Sequence, residues 1–256
     1  MTTRPILVCS KGRPENCPTI RRLIGYGDVI EWRIILEPQD INSYVSAGVP
    51  PQKIIPLPEN NKGIGYARGR ALEQARKIYS GWVWMLDDDV SNWYKVVGKK
   101  CFSGQDMLET LSAAEKHFLS DPSAAQAALE YNQIAWAARK PYIRGSYCDV
   151  VVAFHLERTR CVSHRESLPL KEDRDYTMQI LAAGYTTIRV TEYAFSCPSM
   201  GSNKGGLHGV YSAPSRIEES CTMMEKLWGP DLAKKVRKKN GVVDVKINWK
   251  ALRPVV

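Results

Sequence analysis

Residues 81–90 read GWVWMLDDDV, an apolar run that ends in three consecutive aspartates, Asp87, Asp88 and Asp89. "WVWML" has the length and composition of a buried strand. Like charges side by side at the end of such a strand are costly unless a counter-charge meets them. In open α/β sheets, ligands bind beyond the carboxyl ends of the strands, and the aspartates sit at that end. If the extended geometry persists, Asp87 and Asp89 point to one side and Asp88 to the other. Two carboxylates on one side suit a hard divalent cation, which takes oxygen ligands. A solvated acidic turn is the simpler alternative.

Upstream, "RPILVC" reads as a short buried strand, followed by the polar turn "SKGRPENCP". "CPTIRRLIGYG" reads as a short helix closed by glycine, "EWRIILE" as a second strand, "PQDINSYVSAG" as a helix and "KIIPL" as a third strand. In "PENNKGIGYARGRALEQARKIYSG", Ile64, Ala67, Ala71, Ala75 and Ile78 recur at helical spacing, with Asn60 or Asn61 as N-cap and Gly81 at the stop. Downstream, residues 104–140 read as mostly helical with a break at Asp121-Pro122, and "SYCDVVVAFHL" as a strand. "LPLKEDRDYTMQILAAGY" reads as a helix stopped by Gly184. "TTIRVTEYAFSC" is strand-like, "PSMGSNKGGLHGVYS" a glycine-rich loop and "SRIEESCTMMEKLWG" a helix. This alternation predicts an α/β fold, a sheet with helices on its faces.

The chain of 256 residues suits one domain with a small appendage: a domain over 1–230 and a basic extension over 231–256. No apolar stretch approaches the roughly 20 residues of a transmembrane helix, and the start lacks a signal-peptide pattern. The seven cysteines are scattered without a CxxC pair, which argues against a zinc ribbon or thioredoxin-like site and for reduced thiols in a cytoplasm. Of the net charge of +9, residues 231–256 hold eight basic and two acidic residues, 8 − 2 = +6. Such a cluster is either a solvated tail or an electrostatic footprint for nucleic acid or phosphorylated substrates.

"WVWMLDDDV" resembles the DxD element of GT-A nucleotide-sugar glycosyltransferases. "ILVCSKGRP" resembles their first strand and nucleotide-contacting loop. "NNKGIGYARGRAL" resembles the helix upstream of DxD, with Gly69 where that pattern often has Asn. "KEDRD" resembles the acidic motif of inverting members, and "GGLHGVY" a late glycine-rich lid with a metal-binding histidine. The ordered set spans residues 4–211. Within this superfamily the chain is most similar to TET-associated glycosyltransferases, phage enzymes akin to the base J glucosyltransferases of kinetoplastids.

The resemblance implies a Rossmann-like GT-A fold with a mixed, mostly parallel sheet. It also implies metal-dependent transfer of a hexose, glucose first, from a UDP-sugar to 5-hydroxymethylcytosine or a related hydroxymethylpyrimidine in DNA. The setting would be the cytoplasm of a phage-infected bacterium, with no membrane and no obligate protein partner. Asp89, Asp87 and His208 would hold Mn2+ or Mg2+, a Lewis acid for the leaving diphosphate. Asp87 would reach the ribose or the metal, and Asp88 either. Ser10, Lys11, Arg13, Glu37, Asp40, Arg68 and Lys204 would contact the donor. Asp173, with Glu172 second, would be the general base of an inverting displacement. Each residue also has a plainer account. Acids opening a helix complement its dipole, turn chemistry explains "KGRP", Arg68 could be an exposed helical arginine paired with Glu73 or another acid, and His208 could be a surface histidine. The aromatics Trp93, Tyr94, Tyr142 and Tyr147 could stack on a flipped base or fill core. Lys95, Lys99 and Lys100 could hold phosphates or lie on a solvated loop. Two other functions remain open: the same chemistry on a glycan, lipid-linked or protein acceptor, and a non-catalytic nucleic-acid-binding domain on a transferase fold.

Overall fold

The computed structural model describes residues 4–199, 202–203, 205–211, 213–239 and 241–252. Its strands are β1 (Ile6–Ser10), β2 (Trp32–Leu36), β3 (Ile54–Pro56), β4 (Trp82–Asp87), β5 (Asn92–Val97), β6 (Lys100–Ser103), β7 (Ala124–Tyr131), β8 (Tyr142–Arg144), β9 (Val151–His155), β10 (Thr186–Ser196), β11 (Ala233–Arg237) and β12 (Val243–Ile247). The helices are α1 (Pro18–Tyr26), α2 (Ile41–Ser46), α3 (Ile64–Ile78), α4 (Met107–Glu115), α5 (Asn132–Ala135), α6 (Glu172–Ala182), α7 (His208–Tyr211), α8 (Pro214–Trp228) and α9 (Trp249–Leu252).

The main sheet runs β3-β2-β1-β4-β9-β7-β10-β5-β6, with β8 paired to β10. Strands β3, β2, β1 and β4 are parallel, as helical crossovers require. Beyond them the pairing is mixed: β9 is antiparallel to both β4 and β7, and β7 is parallel to β10. The reversal at β9 matters for the site. Its amino end lies beside the carboxyl end of β4, in the register Leu86↔Val151.

Alternation along β4 builds two cores. Trp82, Trp84 and Leu86 face one, which Leu23 and Leu111 also join, while Val83 and Met85 face the other with Leu72, Ala75 and Ile180. A third, smaller core lies between α6 and the chain's end, with Met178, Leu181, Cys221, Met224, Ala233, Val245 and Leu252.

Three local expectations change. The "AAQAALEY" stretch, read as part of a helical region, is the central strand β7, buried along all but its last residue. Alanine favours helix in isolation. Here small side chains on both faces let the strand sit between β9 and β10, with Ala124 and Ala127 in one core and Ala125 and Ala128 in the other. Tertiary packing overrides the local preference. The N-cap of α3 is Gly63 at φ 91°, without a side-chain cap, rather than Asn60 or Asn61. The lysines after the aspartates lie on or beside a β5–β6 hairpin, with Lys95, Lys99 and Lys100 exposed. At the chain's end, β11 and β12 form a hairpin against α8, where the Lys235 N–H donates to Glu225 Oε1 at 3.0 Å.

Candidate active site

Strand β4 ends at Asp87, so the extended geometry stops inside the triplet and the three carboxylates take separate directions. Asp87 lies beside Cys9 of β1 and donates its N–H to Val150 O at 2.9 Å. Its carboxylate accepts from Arg68 Nη2 at 2.6 Å. Asp88 turns into the protein, where it accepts from Ser10 Oγ and lies 3.4 Å from Arg13 Nη1. Asp89 accepts from Arg13 Nη1 at 3.0 Å and from Asn203 Nδ2 at 3.3 Å. The turn is clamped by the start of α1: Thr19 N–H donates to Asp88 O, and Thr19 Oγ1 to Asp87 O at 2.7 Å. A helix N-terminus here adds its partial positive charge to that of the two arginines. The side chains of Asp87 and Asp89 stay 34 % and 20 % exposed while that of Asp88 is 6 % exposed. A ligand can therefore reach the outer two and not the middle one. Burial pushes Asp88 up to about 7, against the pull of Arg13 and the Ser10 bond.

Arg68 is the hinge of the second half. The α3 helix aims it between β4 and α6, where Nη1 donates to Glu172 Oε1 at 2.8 Å while Nη2 holds Asp87. One guanidinium thus serves two carboxylates, and a charge is left over. Burial raises Glu172 to about 7 despite Arg68, with Asp173 adding repulsion. The sequence pairing of Arg68 with Glu73 is not made; Glu73 pairs with Arg70 instead. Of the three acids opening α6, Asp175 is ion-paired to Arg165 and bonded to Trp228 Nε1 at 2.8 Å. Glu172 is tied to Arg68. Asp173 accepts only its neighbour Arg174's N–H at 2.7 Å and, among the described residues, has no ion-pair partner within 4.0 Å. Tyr211 of α7 stands over this corner: burial, then the charges of Asp173 and Glu172, raise its phenol.

The first loop is braced from two sides. Lys11 Nζ bonds Glu37 Oε1 at 2.8 Å and Asn61 Oδ1 at 2.6 Å, and Gly12 N–H bonds Asp40 Oδ2 at 3.0 Å. Ser10, Lys11, Arg13, Glu37 and Asp40 are thereby gathered at the carboxyl ends of β1 and β2. The late loop docks on them, with Gly206 N–H donating to Lys11 O at 2.9 Å. A Cβ on Gly205, at φ +85°, would stand 2.7 Å from Gly12 O, so only glycine permits this approach. Asn16 and Asn203 join the same two loops at 2.7 Å. His208 opens α7 on this segment, and Lys204 lies outside the described residues. Among the described residues, no three His, Cys, Asp or Glu side chains converge as a metal centre, so Asp87, Asp89 and His208 are not gathered into one ligand set. The reachable oxygens of Asp87 and Asp89 are nonetheless hard donors that fit a hard divalent cation. The arginine laid against Asp88 and Asp89 marks the place as one that takes positive charge.

Sequence reasoning missed the pocket beside Asp173. It is a cavity of about 440 Å3 walled by Tyr131, Tyr147, Arg174, Val245, Ile247 and Trp249, with Asp149 among its lining residues. Besides Tyr147, named above as a stacking aromatic, the available signal was "CDVVV", an acid ahead of an apolar strand that mirrors the acids behind β4. Its meaning depends on β9 running antiparallel to β4, which no local pattern states. No helix among the described residues is long and apolar enough to cross a membrane.

The fold matches solved glycosyltransferase structures. One is glucosyl-3-phosphoglycerate synthase from Mycobacterium tuberculosis in complex with Mg2+ and UDP: TM-score 0.54, 10% identity, covering 96% of this chain and 86% of that one. The same enzyme with Mn2+, UDP and phosphoglyceric acid matches with TM-score 0.53, 13% identity and coverage of 98% and 91%. Its complex with Mn2+ and UDP-glucose gives 0.52 and 10%, again over 98% and 91%. At such identities the likeness shows the shared GT-A-like fold. No curated protein sequence matches the chain. A family model, TET-Associated Glycosyltransferase, matches residues 4–206, which include β1, the aspartate triplet, Arg68 and the acids of α6, and the chain therefore belongs to the TET-associated glycosyltransferase family.

Proposed function

We propose that this glycosyltransferase moves a hexose, glucose first, from a UDP-sugar to the hydroxyl of 5-hydroxymethylcytosine in DNA, with inversion. The observation that carries the reading is Asp173. Among the described residues it is the one acid of the "EDRD" run that no cation pairs within 4.0 Å, and it stands at the strand-end cleft beside Arg68 and Asp87. The acceptor hydroxyl gives its proton to an Asp173 carboxylate oxygen as its own oxygen bonds the anomeric carbon. The bond from that carbon to the diphosphate oxygen breaks, and UDP leaves with the electron pair. Asp87 and Asp89 would hold a divalent cation, which supplies Lewis-acid stabilisation of the diphosphate. Lys11, Arg13 and Glu37 line the donor side, and the docked loop around Asn203, Gly205 and Gly206 limits water, which would otherwise hydrolyse the sugar. Arg68, tied to Asp87 and Glu172, fixes the donor-side and acceptor-side acids relative to each other.

The test is turnover on DNA containing 5-hydroxymethylcytosine, read by mass spectrometry of the digested nucleosides. Asp173→Asn keeps the shape and loses the base, so transfer falls about 100- to 10,000-fold, the range of a general base, while UDP affinity holds. Transfer at the wild-type rate in that variant removes Asp173 from the chemistry.

A further inference from the structure

The cavity beside Asp173 has no part in holding a nucleotide sugar as described above. It opens between β7, the loop before β9, the start of α6 and the β12–α9 segment. Three features of it point the same way. Its walls are aromatic: Tyr131, Tyr147 and Trp249 surround it, with the Tyr147 and Trp249 rings 6.4 Å apart at 45°. Asp149 presents a carboxylate oxygen, Oδ1, that is out of solvent and, among the described residues, has no hydrogen-bond partner. A buried polar atom left unsatisfied costs roughly 1–3 kcal/mol, so it calls for a ligand that donates. The bordering hairpin is basic. On its outer face, opposite the wall residues Val245 and Ile247, Lys246 stands directly across from Lys234, and both lysines are exposed. Like charges facing each other across a strand pair are destabilising unless an anion lies over them.

We propose that this cavity receives the flipped acceptor base of DNA, stacked on Trp249 and Tyr147, and that Asp149 reads the exocyclic amine of cytosine, so that hydroxymethylcytosine is preferred to hydroxymethyluracil. The inference rests on the functional reading above and adds the site and the residue that choose the base. A carboxylate oxygen is the standard acceptor for the cytosine N4–H. Uracil offers a carbonyl where cytosine offers the amine, and so turns an acceptor towards the acceptor-only Asp149 carboxylate at that position. Val150, the next residue, is held at φ 61°, unusual for a β-branched side chain. Its carbonyl accepts the Asp87 N–H at 2.9 Å, which couples the base reader to the end of β4. A cavity of this size lies within the range of small-ligand sites and accommodates a nucleoside.

The experiment compares paired duplexes that carry hydroxymethylcytosine or hydroxymethyluracil at one position. Wild-type enzyme should favour the cytosine duplex at least tenfold in kcat/KM. In Asp149→Ala that ratio should collapse towards one, with KM for the cytosine duplex raised about tenfold or more and UDP affinity within twofold. Asp149→Asn should also bring the ratio towards one while keeping turnover above that of Asp149→Ala, because an amide can turn to accept from the cytosine amine or to donate to the uracil carbonyl; a merely structural carboxylate would leave the ratio unchanged. Trp249→Ala, nearer the surface, should weaken both duplexes alike, about 10- to 100-fold, since stacking does not discriminate bases. A ratio unchanged in Asp149→Ala, or DNA kinetics unchanged in Trp249→Ala, overturns the assignment while leaving the transferase reading intact. Wild-type protein that binds UDP and modifies neither duplex overturns both.

Discussion

Glu172, Arg68 and Asp87 form a chain of two carboxylates on one cation, and their charge imbalance has a pH signature. Glu172 titrates near 7 when folded, against an ordinary value of 4.5. A carboxyl whose folded pKa is raised contributes stability that is fully present below its unfolded pKa and is lost as pH rises through the folded one. Between about pH 4.5 and 7 this group therefore erodes stability. Glu172→Gln keeps a bond acceptor for Arg68 and cannot ionise. Calorimetry of metal-free protein at pH 5 and pH 8 should show a smaller fall in Tm for the variant than for wild type. Equal falls would mean that Arg68 compensates Glu172 fully. That Glu172 is spent on Arg68 while Asp173 is not could not be read from "KEDRD", where both acids open the helix alike. The difference arises in three dimensions, from α3 aiming one guanidinium at the first of them.

At the scale of elements, two glycines make opposite uses of the same missing side chain. Gly65 lies in the first turn of α3, buried, and a Cβ there would stand 2.9 Å from Arg165 O. Gly205 lies on the late loop, and its Cβ would stand 2.7 Å from Gly12 O. The first contact joins a core helix to the segment leading into α6; the second joins two loops over the site. Gly65→Ala should cost about 1–3 kcal/mol, as overpacking does, lowering Tm by several degrees. Gly205→Ala should leave Tm nearly unchanged and raise KM for the UDP-sugar, about 5- to 30-fold from roughly 1–2 kcal/mol of left-handed strain. A large Tm loss in Gly205→Ala would make that loop part of the folding core instead of a cover. Helix α3, strands β1, β2 and β4 and the acids of α6 were legible because periodicity and end signals agreed. Strand β7 was not, because alanine's own preference points to helix and only the neighbouring strands reverse it. The acceptor cavity was not either, since its walls come from residues 131, 147, 174 and 245–249, far apart in the chain.

The whole molecule carries its charge unevenly, and the fold decides what the uneven part does. The basic segment 231–256 was read either as a solvated tail or as a nucleic-acid footprint; within it β11 and β12 fold as a hairpin, with the apolar side on α8 and Lys234 and Lys246 outward. Asp244, on the inner side, is held well below its usual range. Burial raises it, but Lys238, Arg174 and Lys171 together outweigh that. The inner charges are therefore balanced, whereas, among the described residues, the outer Lys234–Lys246 pair is not matched by an acid within 4.0 Å. A pair kept for structure would stabilise the hairpin, and a pair kept for phosphates would cost it something in the free protein. The two readings separate cleanly in Lys234→Ala/Lys246→Ala. If the pair holds DNA phosphates, the slope of log K against log salt becomes shallower by up to about 2, since each phosphate contact contributes roughly 0.9. Tm stays level or rises, because like charges across a strand pair have been removed. An unchanged salt slope with a lowered Tm would assign the pair to the hairpin's own stability. Val245 and Ile247 line the cavity while Lys246 between them faces out, so one strand would meet the base with one face and the flanking phosphates with the other.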